Sequence, residues 1–347
     1  MVNIGVIGCG YWGPKHIRVC NELSGACLTS VCDLDEKKLQ SVKIQYPAVE
    51  TTTDIKRFLQ IVDAVVIATP VVSHHKLAKE ALLSDKHVLI EKPITSTSRE
   101  AQELIELAAQ KNLVLMAGHT YEYHPAVDFL RDTIRSGKLG QIYSIDAQRL
   151  NLGLFRPDVN VLWDLAPHDI SIILALMNET PVSVSARGTY HNELKVYDMA
   201  YLDIMFESGA MGHVQVSWLH PRKIREITVV GSQKMATYND ISETEKIHIY
   251  DKGLSIPYEG NGNNGHNRFS AWPPNYRYGD VVIPFISNAE PLKMECSHFI
   301  KCINEKTRPK SDGWAGLKVT SILEAADKSL ENGGRSIKLD LATISIT

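Results

Sequence analysis

Three short stretches carry most of the chemistry that the sequence offers. Gly8-Cys9-Gly10-Tyr11-Trp12-Gly13 has the spacing G-x-G-x-x-G. In that pattern the first glycine permits a tight turn, the second lets the backbone approach a pyrophosphate, and the third lets a helix pack closely on a strand. The pattern alone is weak. Here it follows an apolar run at residues 2–8 and precedes a segment in which Ile17, Cys20 and Leu23 share one helical face. Asp33 ends the next apolar run, about 20 residues further on, which completes the context of a dinucleotide site. A helix N-terminus at the glycines attracts an anion. A carboxylate at Asp33 can accept hydrogen bonds from ribose hydroxyls and repels a 2′-phosphate. No Lys or Arg follows it before Lys37, so the expected cofactor is NAD rather than NADP. Thr69-Pro70 closes a further run, with His74 near the helix start that follows; this His would also suit a surface or capping role. Glu91-Lys92-Pro93 closes another. Its lysine sits at the carboxyl edge of the expected sheet, where a nicotinamide ring would lie, although the dipeptide alone would also fit a surface lysine.

The elements that must position these residues are legible from periodicity. Residues 2–8, 27–33, 64–69, 87–91 and 113–118 are short, continuously apolar and rich in Val, Ile and Leu. Strands buried on both faces of a parallel sheet read this way. The segments between them are helical in pattern. Ala101, Leu104, Ile105 and Ala108 share a face, and Thr97 with Glu100 forms a candidate capping box. From about residue 140 the period changes to two. Val214, Val216 and Trp218 alternate with His213, Gln215 and Ser217; Leu202, Ile204 and Phe206 alternate with Tyr201, Asp203 and Met205; Val182 and Val184 alternate with Ser183 and Ser185. Helical patterns return near 291–304 and 315–330, after a loop at 259–280 rich in Gly, Asn, Pro and aromatics. The expected fold is α/β: an N-terminal Rossmann dinucleotide-binding domain over residues 1–121, then an α+β domain over 122–347 with an open, mostly antiparallel sheet.

Composition sets outer limits. The chain has 347 residues, with 37 Lys and Arg against 40 Asp and Glu, a formal charge of −3. That balance argues against a nucleic-acid partner, whose footprint is usually basic. No apolar run reaches the ~18 residues of a membrane span. No signal peptide precedes the first strand, so a cytoplasmic location is expected. The six cysteines form no CxxC pair and are expected to be reduced and buried, and no metal site is expected.

The fingerprint, Asp33, Thr69-Pro70, His74 and Glu91-Lys92-Pro93, in that order, resemble the glucose–fructose oxidoreductase / inositol dehydrogenase / rhizopine-catabolism (Gfo/Idh/MocA) family over essentially the whole chain. The resemblance implies a Rossmann domain followed by a larger open sheet that covers the substrate and builds homodimers or homotetramers. It implies a cofactor site made of Gly8, Gly10, Tyr11, Trp12, Gly13, Asp33, Thr69, Pro70, His74, Glu91 and Lys92, with Lys92 touching nicotinamide and substrate. The family's second mark is Asp-x-x-x-His, here Asp164 and His168 in Trp163-Asp164-Leu165-Ala166-Pro167-His168-Asp169. Ile170, Ile173, Leu174 and Met177 form the apolar stripe of the following helix, which Pro167 is expected to begin. At about 100° per residue, His168 points nearly opposite to that stripe, and Asp164 lies within ~40° of His168 if the turn is helical.

The resemblance implies hydride transfer from a ring carbinol to nicotinamide. His168 is then the expected base, with Asp164 orienting it and Lys92 stabilising charge on the substrate oxygen. Tyr121, Tyr123 and His124 follow the last Rossmann strand, and Trp163 precedes Asp164. Tyr121, Tyr123 and Trp163 join Lys92, Asp164 and His168 as expected substrate contacts. In the long loop, Trp272 or Tyr276 could stack on a base and Arg268 or Arg277 could pair with a pyrophosphate; packing or a subunit interface would equally suit them. Lys15 and Arg18 stand near the fingerprint helix, where solvated charges are ordinary. The stretches GYWGPKHIR, DLAPHD and PLKMECSHFIKCI are most similar to nucleotide-sugar 3-dehydrogenases, acting on UDP-N-acetylglucosamine or UDP-N-acetylglucuronate. A free-sugar or inositol-type polyol dehydrogenase is the alternative, and a non-catalytic NAD-binding regulator stands behind both.

Overall fold

The computed structural model describes residues 1–255 and 275–340. Strands β1 (Val2–Ile7), β2 (Ala26–Cys32), β3 (Glu50–Thr52), β4 (Ala64–Ile67), β5 (His87–Glu91) and β6 (Leu115–Gly118) form a parallel sheet in the order β3-β2-β1-β4-β5-β6. The order reverses between β1 and β4, which opens a crevice beyond their carboxyl ends. The five apolar runs correspond to β1, β2, β4, β5 and β6. The short edge strand β3 reads Glu-Thr-Thr and is only half-buried, so it has no apolar signal.

Helices α1 (Gly13–Glu22), α2 (Glu36–Gln45), α3 (Ile55–Gln60), α4 (His74–Leu83) and α5 (Ser98–Gln110) connect these strands. Thr97 and Glu100 make the capping box at the start of α5, and its face of Ala101, Leu104, Ile105 and Ala108 is buried. Along β4, Ala64 and Val66 face one core while Val65 and Ile67 face the other. That two-sided burial is why the strand reads as a continuous apolar run.

Helix α6 (Pro125–Arg135) leads to β7 (Ile142–Leu152) and α7 (Val161–Met177). Then come β8 (Pro181–Thr189), β9 (Met199–Phe206), β10 (Met211–Ser217), β11 (Leu219–Gly231), β12 (Met235–Asn239), β13 (Ile247–Ser255) and β14 (Asn275–Val282). Helices α8 (Pro291–Glu305) and α9 (Gly313–Glu331) precede the last strand, β15 (Ile337–Lys338). The second sheet has the order β14-β13-β12-β11-β7-β10-β9-β8-β15. Its pairs are antiparallel except β7 with β10. Leu202, Ile204, Val214 and Val216 share a core with Ile170 and Ile173 of α7 and Leu323 and Ala326 of α9. Tyr143, Tyr201 and Met205 on the other face are exposed.

Three expectations need correction. Helix α7 begins at Val161 with Asn160 as its cap, and Pro167 lies inside it. The Asn160 side chain accepts from Trp163 N–H, so the helix starts before the proline, whose missing N–H removes one bond from the ladder. Residues 275–280 belong to β14 and pair with β13; Tyr276 is exposed and Arg277 bonds Asp251, while Arg268 and Trp272 lie outside the described residues. Cys27, near the start of β2, is exposed, whereas the other five cysteines are buried. Among the described residues no helix is long and apolar enough to cross a membrane.

The two C-terminal helices return to the first sheet. Leu292, Cys296, Phe299 and Ile300 of α8 share a core with Ile4, Val6, Ile17 and Cys20. Leu317 of α9 joins the core on the opposite face of that sheet.

Behind the second sheet's covered face, Arg149 of β7 meets Asp169 of α7 in a two-pronged ion pair, 2.8 Å at each prong, with the residues 5% and 2% exposed. Removing one partner strands the other charge in the interior. Arg149→Ala is therefore expected to cost ~3–5 kcal/mol in urea unfolding, and a cost under ~1 kcal/mol would show that the pair is not holding α7 to β7.

Candidate active site

The glycine turn has the shape a pyrophosphate requires. Gly8 has φ +99°, and a Cβ there would stand 2.5 Å from the Ala68 carbonyl oxygen. A Cβ at Gly13 would collide with the Gly8 carbonyl, whereas one at Gly10 would meet nothing within 4 Å. The first and third glycines are thus demanded by packing, and the second leaves its backbone open to a ligand. Helix α1 starts at Gly13, so its free N–H groups lie beside the turn. The Asp33 carboxylate accepts from Cys9 N–H at 2.5 Å and Asp35 N–H at 2.8 Å, which fixes its charge at the end of β2. These residues fit a bound NAD. Tyr11 is 78% exposed, and the Lys15 ammonium lies 3.7 Å from its ring centre and 4.2 Å from that of Trp12. Arg18 instead pairs with Glu22 and Glu290.

Across the crevice, His74 joins two loops. It is 1% exposed, with Nε2 2.8 Å from the Thr69 carbonyl oxygen and Nδ1 2.9 Å from that of Pro93. Burial lowers its pKa, against the opposing pull of the two carbonyl oxygens, which favour a hydrogen on each ring nitrogen. It therefore ties the Thr69-Pro70 turn to the Lys92-Pro93 turn, whose peptide is cis. Glu91 ends β5 with both oxygens engaged: Oε1 is 2.7 Å from His16 Nε2, and Oε2 accepts from Lys92 N–H at 3.2 Å.

Lys92 Nζ donates to the Asp164 carbonyl oxygen at 2.7 Å, joining the carboxyl edge of the first sheet to α7. Burial pulls the Lys92 pKa below its usual value, against the opposing pull of Asp164 and Glu91. The Asp164 carboxylate does not sit on His168, as the sequence reading expected. It accepts from Trp218 Nε1 at 3.0 Å and from Arg156 at 3.4 Å. The helix through Pro167 sends these two side chains to different neighbours. His168 is 9% exposed and stands edge-on to Tyr121, ring centres 4.8 Å apart; its Nδ1 has no hydrogen-bond partner among the described residues. Burial and the charges of Lys92 and Arg149 hold its pKa well below 6.5.

Tyr121 and Tyr123 diverge because they stand on one tight 3₁₀ turn, residues 120–123. Tyr121 faces His168 and accepts from Arg225 at 2.8 Å. Tyr123 is buried the other way, with its hydroxyl 2.9 Å from His298 Nδ1 and 3.3 Å from Ser311 Oγ, so it is remote from the substrate contacts expected of it. His124 caps α6, its ring nitrogen accepting from Ala126 N–H. Trp163 donates to Asp327 at 2.6 Å.

A cavity of about 670 Å³ brings together part of the site, and His168, Tyr121, Tyr123 and Asp33 are not among the residues that line it. Gly10, Tyr11, Trp12, Thr69, Pro70 and His74 line one part of it, and Glu91, Lys92, Trp163 and Asp164 line another. Asn151, Arg156 and Trp218 line it too, and sequence reasoning missed all three as site residues. Trp218 was visible only as an alternating apolar position. Arg156 lies in a stretch with no periodicity. Arg149, which stands over the Tyr121 ring and adds charge near His168, gave no signal, because β7 also carries Asp146, Gln148 and Asn151.

Comparison with known proteins agrees with this architecture. Residues 2–119 match the model of an oxidoreductase family with an NAD-binding Rossmann fold, and residues 127–237 match the GFO/IDH/MocA C-terminal domain. The chain is 31% identical over 257 residues to UDP-N-acetylglucosamine 3-dehydrogenase of Acidithiobacillus ferrooxidans, covering 72% of this chain and 77% of that protein. A crystal structure of that enzyme superposes with a TM-score of 0.78 at 26% identity, covering 96% of this chain and 98% of the other. Myo-inositol 2-dehydrogenase of Thermotoga maritima is 24% identical over 355 residues, 98% of this chain and 99% of the relative. With its glycine turn, its two sheets and these matches, the chain belongs to the Gfo/Idh/MocA family of NAD-binding oxidoreductases.

Proposed function

We propose that this oxidoreductase removes hydride from C3 of a UDP-N-acetylhexosamine or the corresponding uronate. The observation that carries the reading is the Lys92–Asp164 bond, which holds an ammonium at the cavity wall one helical turn from His168. Bound NAD supplies the hydride acceptor. Lys92 binds the carbinol oxygen and stabilises negative charge as its proton leaves. His168 takes that proton; its depressed pKa keeps it neutral and able to accept at pH 7. Asp164 does not touch the imidazole. Its carbonyl holds Lys92, and its carboxylate bonds Trp218 and Arg156 at the cavity. The nucleotide-sugar substrate is supported by the likeness to the Acidithiobacillus enzyme, and the full-length likeness to an inositol dehydrogenase keeps a free polyol as the second reading.

A substrate panel with NAD separates these. UDP-N-acetylglucosamine or UDP-N-acetylglucuronate should generate NADH, and myo-inositol should not; turnover of inositol with no UDP-sugar activity would overturn the substrate, and NAD binding without any turnover would favour a regulator. Lys92→Ala and His168→Ala should each keep NAD affinity while lowering kcat by ~100-fold or more, and unchanged turnover in either would reject its role. The pH profile follows from the sign of the His168 shift. A base with a depressed pKa stays neutral as pH falls through 6.5, so the acid limb of kcat/KM should lie well below pH 6.5. A limb at or above 6.5 would assign it to another group.

A further inference from the structure

His16 lies within α1, three residues past the glycine turn, and is fully buried. Packing alone could be met by an apolar side chain there. Instead both ring nitrogens have polar neighbours. Nε2 lies 2.7 Å from Glu91 Oε1, and Nδ1 lies 3.7 Å from Cys296 Sγ on α8. A carboxylate only accepts, so Nε2 carries a hydrogen and donates it to Glu91, while Nδ1 stands beside the thiol. Contact with Cys20 and burial push the Cys296 thiol pKa well up, which keeps its hydrogen in place. The other Glu91 oxygen takes the backbone N–H of Lys92, at the point where pairing of β5 with β6 has ended.

We propose that His16 is a positioning residue for hydride transfer: by holding the Glu91 carboxylate it sets the glycine-turn helix in register with Lys92. One buried bond then links the anchor for the pyrophosphate to the group that acts at the nicotinamide end. The inference rests on Lys92 acting at the substrate oxygen. Glu91 also faces the Lys92 ammonium electrostatically from β5. Asp164 and His168 face it from α7, Arg149 from β7, Arg156 from the segment after β7, and His119 from the end of β6.

The test compares His16→Leu, His16→Gln and Glu91→Gln in the full-length protein with NAD and the UDP-sugar that wild type turns over. His16→Leu should lower kcat ~10-fold or more, with NAD affinity and sugar KM changed less than ~3-fold; His16→Gln, whose amide can donate to Glu91, should recover to within ~3-fold of wild type. Equal losses in the Leu and Gln variants, or wild-type turnover in His16→Leu, would overturn the proposal. The second readout is Lys92 titration, followed by carbon-13 NMR of reductively methylated protein, with Lys92→Met identifying its signal. Removing the Glu91 charge should move that titration to lower pH by ~0.5 unit or more, and His16→Leu should move it measurably, because the carboxylate loses the partner that holds it in place beside Lys92. If His16→Leu does not fold, Glu91→Gln decides, and an unmoved titration counts against the link. If wild type turns over no sugar, the proposed function fails while the Lys92 titration still tests the link from His16.

Discussion

The hydrogen bond from the Lys92 ammonium to the Asp164 carbonyl is the contact on which the site depends. A charge-assisted bond of this kind contributes ~1.5–3 kcal/mol, and it spans two separately built sheets. On one side Lys92 is fixed by the end of β5, with His74 behind its proline and Glu91 on its backbone N–H. On the other, the acceptor belongs to α7, four residues before His168, so the same contact ties the ammonium to the helix that carries the imidazole.

Charge around the imidazole follows the same logic. His168 is desolvated and stands near the charges of Lys92, Arg149 and Arg225, so its charged form is disfavoured. Asp169 answers Arg149 directly. Asp164 is committed to Arg156 and Trp218. The carboxylates therefore balance the cations without touching the base, and the base remains free to accept.

The first sheet was readable because strands buried on both faces show as apolar runs, and the glycines because packing demands them at Gly8 and Gly13. The nucleotide-side residues follow the chain closely: Gly10, Asp33, Thr69 and Lys92 each stand at a strand end. The substrate side is built differently. Trp218 closes β10, Arg156 lies in an irregular segment and Arg149 projects from β7, so their meeting is a product of tertiary packing and left no local spacing to read. The start of α7 was misplaced because a proline is a stronger stop signal in sequence than Asn160 is a start. Tyr123 was misassigned because a 3₁₀ turn sends side chains two apart in different directions.

Helix α8 closes the first sheet with residues that lie far along the chain, and this shapes how the protein must be made. Leu292, Cys296 and Phe299 complete the packing around Ile4 and Val6. While the ribosome is still synthesising the second sheet, the nascent dinucleotide domain has an uncovered oily flank and His16 lacks its sulfur neighbour. Final consolidation of the earliest-made strands waits for nearly the last helix, so a chaperone has most to protect during that interval.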